Sequence, residues 1–283
     1  MNHLPVSKLI GGLVLWMCVY GCAGESTVQE EPAPSESAGD LIAGLNLGDN
    51  EAKVLLFPAP LQVSTTLKLA GLSYEPALLI PVGKPRVYRS PFERSVGTGM
   101  LCIDMGYAAV YGDYPSAISY AKQIESILGQ MNIHLPTDRS LVDRLQNNTN
   151  HPDSIFSIVL ETYSHAGQYF HQNGQEDLGL MLMIGCYVEG LYLSLETSRK
   201  GTRGLDMLWQ QQNLYLDNIF MLLPYFAKED VSKALLAKLK ELRMEMSRLG
   251  IAAFAGKIKD PGTQENVDHV KAMVRAIREH LNE

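Results

Sequence analysis

Two isolated carboxylates, each set in an apolar stretch that also carries tyrosines, are the residues of this chain best placed to do chemistry. Asp104 shares a helical face with Gly97, Met100, Leu101, Tyr107, Ala108 and Tyr111, and Glu189 shares one with Leu182, Gly185, Cys186, Tyr192 and Leu193. A carboxylate enclosed by such side chains has to be hydrogen-bonded or protonated, and phenolic hydroxyls are natural donors. Three roles fit Asp104, Tyr107, Tyr111, Glu189 and Tyr192: a polar core network that fixes helix register, the lining of a ligand pocket, or acid–base and metal chemistry. The register network is the expected role, because it asks nothing of the sequence beyond burial.

Other residue pairs are weaker. Glu161 and His165 stand four apart and could meet on one metal, but they fall on the polar side of their helix, where an exposed pair is expected. Cys102 and Cys186 lie within a turn of Asp104 and Glu189; small apolar thiols suit close helix packing, so free buried cysteines are expected, with oxidation open to an exported chain. The Glu-x-x-His repeat of di-iron bundles, H-E-x-x-H, C-x-x-C-H, G-x-S-x-G and a phosphate-cradling glycine loop do not occur. No cofactor or metal is expected on these grounds, and the balance leans away from an enzyme.

The elements that must position Asp104 and Glu189 are two apolar helices. From Leu178 to Leu195 the only charge is Glu189, and apolar residues cover every face, as in a helix enclosed on all sides. Eighteen such residues also reach the lower limit for a membrane span. A mid-membrane carboxylate and two glycines argue for a core helix instead. Phe92 to Gly112 is the second such helix; Gly97, Gly99 and Gly106 each weaken it by about 1 kcal/mol relative to alanine, which close helix contact would offset.

Around these two, periodicity and punctuation predict further helices. They cover Pro60 to Leu72, Asp113 to about Met131, Thr137 to Leu145, Asp153 to Gln172, Leu205 to near Pro224, a stretch capped by Asp230 and running to Leu249, and a last one from Pro261. Tyr74 to Pro91, with four prolines, reads as an irregular wrap, and residues 251–260 read as a short strand or a surface crossing. The expected fold is all-α: one bundle of roughly eight helices, occupying 57–283, around the central apolar helix at about 177–197.

The amino-terminal stretch reads as an address. Lys8, an apolar run from Leu9 to Tyr20 and small Gly21 have the order of a secretory signal. Val19-Tyr20-Gly21-Cys22 resembles the lipobox of bacterial lipoproteins, which implies removal of 1–21 and acylation of Cys22 with palmitate-type chains. Residues 22–56 then hold the lipidated cysteine and a Pro-, Ser- and acid-rich tether with little to bury. The formal charge of −7 becomes −8 once Lys8 departs, so nucleic acid is not an expected partner. The expected partners are a membrane, through the acyl chains, and a small apolar ligand or another envelope protein. Ala23 lacks the aspartate that retains some lipoproteins at the inner membrane, which favours the outer membrane.

Three stretches carry a wider likeness: Phe57 to Leu79 (FPAPLQVSTTLKLAGLSYEPALL), Met100 to Ile133, and Ile184 to Glu196 (IGCYVEGLYLSLE). With their proline-led helix, their aspartate and tyrosine in a glycine-rich helix, and their glutamate in an aromatic helix, they resemble an uncharacterised family of all-helical lipoproteins from Bacteroidetes-type bacteria. The resemblance implies an all-α body and an envelope location, and it implies no reaction. Three functional expectations follow: a lipid-anchored helical binding or interaction module, an enzyme or metal-binding protein using Asp104 and Glu189, and a structural envelope component.

Overall fold

A computed structural model describes residues 60–82, 87–134, 139–198, 206–226, 233–254 and 261–282. The signal segment, Cys22, the tether, Asp230 and the loop 199–204 lie outside the described residues, as does most of 251–260. Among the described residues the fold is all-α, with nine α-helices and no strand. In chain order they are α1 Pro60–Leu69, α2 Pro91–Tyr111, α3 Tyr114–Gln130, α4 Leu141–Gln146, α5 Pro152–Gln172, α6 Glu176–Thr197, α7 Asp206–Phe226, α8 Lys233–Phe254 and α9 Pro261–Asn282. A 3-10 turn at Pro76–Leu78 lies in the segment between α1 and α2, whose other described residues are irregular.

The centre is a pair, α2 and α6. Every residue of α2 from Ser95 to Val110 is buried, and so is nearly every residue of α6. By length and composition α6 could cross a membrane, yet its most apolar window is 94% buried inside the body; it is a core helix. The two helices touch backbone to backbone. A Cβ built on Gly99 would lie 2.1 Å from Leu182 O and 2.9 Å from Cys186 N, and one on Gly185 would lie 2.1 Å from Val96 O. Position 99 therefore sits between 182 and 186 and 96 meets 185, while further along an added Cβ on Gly190 would lie 3.9 Å from Ile103 Cδ1, so later positions of α2 meet later positions of α6 and the two helices run parallel. Cys186 Sγ donates to Gly99 O at 3.3 Å across 87 residues of sequence, in the same register.

Local signals explain where α2 begins and ends. Ser90 Oγ accepts from Glu93 N at 3.1 Å, Pro91 occupies the first helical position, and Glu93 reaches back to accept from Arg89 N at 2.8 Å. At the other end Gly112 adopts φ 84°, and Gly112 N and Asp113 N donate to Ala109 O and Ala108 O, satisfying the last carbonyls. Asp113 Oδ1 then accepts from Ser116 N at 3.2 Å and opens α3. Two residues thus turn the chain so that α3 packs back along α2. The route from α2 to its parallel partner runs through α3, α4 and α5; α7 and α9 pack on α6, and α8 packs on α7 and α9, meeting α6 where Tyr187 Oη donates to Met246 Sδ.

Several expectations are corrected in detail. The helix anticipated to stop near Pro224 continues to Phe226. The helix foreseen from Thr137 starts at Leu141, where Ser140 Oγ accepts from Asp143 N at 3.0 Å; a proper cap outweighs the earlier proline. Gly250 kinks the chain at φ 68°, and Ile251 to Phe254 resume helix instead of a strand or a plain crossing; 255–260 lie outside the described residues. Two glycines of the central helices serve other neighbours than the α2–α6 crossing. Gly97 faces the Tyr88 ring, whose Cζ would be 2.2 Å from an added Cβ, and Gly190 faces Val63 of α1 at 3.3 Å.

Candidate functional site

The parallel register sets Asp104 of α2 and Glu189 of α6 side by side, both with no exposed surface. Between them and the outside stands Arg278 of α9. Its Nε donates to Glu189 Oε2 at 2.7 Å and its Nη2 to Glu189 Oε1 at 2.8 Å, a two-pronged grip of the kind only a guanidinium makes. Nη2 also donates to Leu78 O at 3.0 Å, and the guanidinium plane lies 4.0 Å from the centre of the Tyr192 ring. Asp104 Oδ2 accepts from Ile80 N at 2.9 Å, and Tyr120 of α3 donates to Ile80 O at 2.7 Å. Four helices and the 72–80 segment converge on this cluster.

Charge follows the geometry. Burial, followed by the neighbouring Glu189, raises the Asp104 pKa well above the usual carboxylate range; Arg278 and the Ile80 N–H only partly oppose this. Burial works against the charge on Arg278, but Glu189 beside it outweighs that and keeps the guanidinium protonated. Burial and then Asp104 push the Tyr120 phenol upward, so it stays a neutral donor. Asp104 Oδ1 accepts no hydrogen bond among the described residues.

No family model, curated protein or solved structure matches the chain.

The residues singled out in the sequence divide into two groups. Asp104, Glu189 and Tyr192 meet around Arg278. Tyr107 and Tyr111 stand apart from it, in a cluster with Tyr74 whose ring centres are 4.9 to 5.4 Å apart. Their hydroxyls are not donors to the carboxylates: Tyr111 Oη donates to Leu72 O at 2.9 Å, and Tyr107 Oη accepts from Glu75 N at 3.2 Å. Tyr74 Oη donates to Asp113 Oδ2 at 2.8 Å, and Lys68 Nζ, over the Tyr111 ring at 5.7 Å, donates to Val110 O. This second cluster pins the 72–75 segment to the end of α2.

Arg278, Tyr120 and the main chain of Leu78 and Ile80 were not foreseen. A signal for Arg278 did exist: it follows Val267 by eleven residues, just over three whole turns, and so borders the apolar stripe of α9 instead of its polar side. Two buried acids also call for a cation. Glu161 and His165 are half-buried rather than exposed, because Glu161 pairs with Arg144 of α4 across a seam. Cys102 and Cys186 are free and buried, and Gly99 O holds the Cys186 thiol. Among the described residues no three His, Cys, Asp or Glu side chains gather to hold a metal ion; beside Glu189 the cationic place is taken by Arg278.

Proposed function

We propose that the protein is a lipid-anchored helical module of the cell envelope, held by acyl chains on Cys22 at the outer membrane, which binds a small apolar molecule or another envelope protein through the surface of its body. The observation that supports this over catalysis is the use of the two carboxylates. Both oxygens of Glu189 are gripped by Arg278, Asp104 Oδ2 is held by Ile80 N, and neither side chain has exposed surface. A cluster closed on itself in this way orders helices and leaves no approach for a substrate. The anchor rests on the signal-like segment and the Val19-Tyr20-Gly21-Cys22 sequence, and several acyl chains would bind a membrane far more firmly than one.

The test is metabolic labelling with a palmitate analogue and membrane fractionation of wild type and Cys22→Ser. The reading requires label and membrane retention in the wild type and loss of both in the variant; equal retention would end it. An enzyme or metal-binding role at Asp104 keeps one supporting feature, the Oδ1 atom without a partner. Saturable thermal stabilisation by a divalent cation, lost in Asp104→Asn, would favour that role.

A further inference from the structure

Two carboxyl groups and one guanidinium are sealed in the same place, and their charges do not balance if both acids are ionised. Arg278 and Glu189 form the matched pair, with both prongs made and the Arg278 side chain only 14% exposed. Asp104 is the surplus acid. Its Oδ2 is occupied by Ile80 N, and its Oδ1 has no partner among the described residues. The groups that face it from each packed element are Glu189 on α6, Arg278 on α9, the Tyr120 phenol on α3 and the Ile80 N–H of the 72–80 segment; on its own helix the neutral Tyr107 phenol lies within electrostatic reach, with its hydroxyl turned to the 73–75 main chain. The tyrosines are neutral donors, so only Arg278 supplies positive charge, and Glu189 already has it.

We propose that Asp104, Glu189 and Arg278 form a buried proton-binding site: one proton held by the two carboxyls, carried on Asp104, closes the seam where α9 and the 72–80 segment join the α2–α6 pair. With the proton on, Asp104 is a neutral acid that donates to Glu189, and the cluster sums to zero charge. When it leaves for solvent, a net charge of −1 stays on carboxyl groups with no exposed surface, and it acts on the contacts that meet there, Arg278 to Leu78 O and Ile80 N to Asp104. The proton belongs to the pair, since either carboxyl alone opposite Arg278 would ionise. Binding a proton at this site does not depend on the membrane anchor or on any surface ligand.

Linkage gives the sign. The folded state keeps a proton that the unfolded chain releases near the ordinary aspartate value of 3.8, so the site's contribution falls as pH rises from there to the folded value and is constant above it. Over that window the unfolding constant of wild type relative to Asp104→Asn, which mimics the neutral acid, rises about tenfold per pH unit. Infrared spectroscopy of the full-length protein provides a readout that stability alone does not. A neutral carboxyl C=O band should persist at pH 7 in the wild type and be absent from Asp104→Asn. In Glu189→Gln, where Asp104 becomes the only buried acid beside Arg278, the same band should titrate at lower pH. Hydrogen exchange should show protection of α9 and of the Ile80 amide declining with pH in the wild type and flat in Asp104→Asn. A wild type without the band at pH 7 would overturn the proposal, even if neither variant folds. An unchanged titration in Glu189→Gln would do the same, by showing that burial alone holds the proton.

Discussion

Adding one methyl group at Gly99 tests the central architecture most directly. In Gly99→Ala the new Cβ would lie 2.1 Å from Leu182 O and 2.9 Å from Cys186 N. Both obstacles are backbone in the middle of α6, so no rotamer can yield and the helices must separate by about 1 Å to reach an ordinary contact distance. Overpacking of this kind costs about 1–3 kcal/mol, and a rigid backbone contact places it at the upper end. Against it stands the helix preference of alanine over glycine, about 1 kcal/mol. The net loss is about 2 kcal/mol, which for a body of this size lowers the melting temperature by about 4–8 °C. Gly185→Ala, whose Cβ would meet Val96 O at 2.1 Å, should behave alike, and Gly185→Leu worse. Gly179→Ala and Gly129→Ala serve as opposites. The first would touch the Phe170 Cβ at an ordinary 3.6 Å and the second meets nothing within 4 Å, so each should gain up to about 1 kcal/mol. Thermal melts followed by far-ultraviolet circular dichroism, with urea titrations alongside, measure all of them. Should Gly99→Ala melt at or above the wild type, the close parallel crossing of α2 and α6 is wrong.

Further expectations concern the charges and the thiols. Arg278→Ala leaves Glu189 buried without its cation and should cost about 3–5 kcal/mol, whereas Arg278→Met combined with Glu189→Leu should recover much of that loss; the double-mutant cycle by urea unfolding decides it. Burial pushes the Cys102 thiol up to about 12, and burial followed by Cys102 raises Cys186 as well. At pH 8 neither should therefore react with an alkylating agent in the folded protein, while both should react in denaturant, as intact mass would show. Glu161→Ala removes only the partly exposed pair with Arg144; it should cost no more than about 1 kcal/mol, a loss that added salt reduces.

The all-α class and the two enclosed helices were legible because burial on every side leaves an unmistakable run of apolar residues, with Asp104 and Glu189 as the exceptions. Glycine positions in those runs suggested close packing, yet periodicity alone could not say which neighbour each glycine admits: Gly99 and Gly185 meet a backbone, Gly97 a tyrosine ring, Gly190 a valine of α1. Tyr107 and Tyr111 shared a face with Asp104 on paper. A side chain leans toward the start of its helix, but a tyrosine hydroxyl reaches several ångströms from it, and here both rings lie over the 72–75 segment. Arg278 was hidden by distance, 89 residues from Glu189 and 200 from Leu78. Nothing local in α9 names its partner, and only the demand of a buried acid pair for a cation could have pointed to it.

The parallel run of α2 and α6 also fixes an order of events as the chain is made. Gly99 and the Cys186 thiol that meets its carbonyl are separated by 87 residues, so in a chain that emerges from its amino-terminal end α2 is present well before its partner. Through that interval α2 exists with apolar faces on all sides and without the helix that will lie against it. The neighbours it can gain early are α1, which precedes it in the chain and packs on it, and α3, through the tight turn at Gly112 and Asp113. Glu189 then enters and waits in turn for Arg278, another 89 residues on. Until α9 arrives, two acids face each other without the guanidinium that pairs with Glu189 in the finished body.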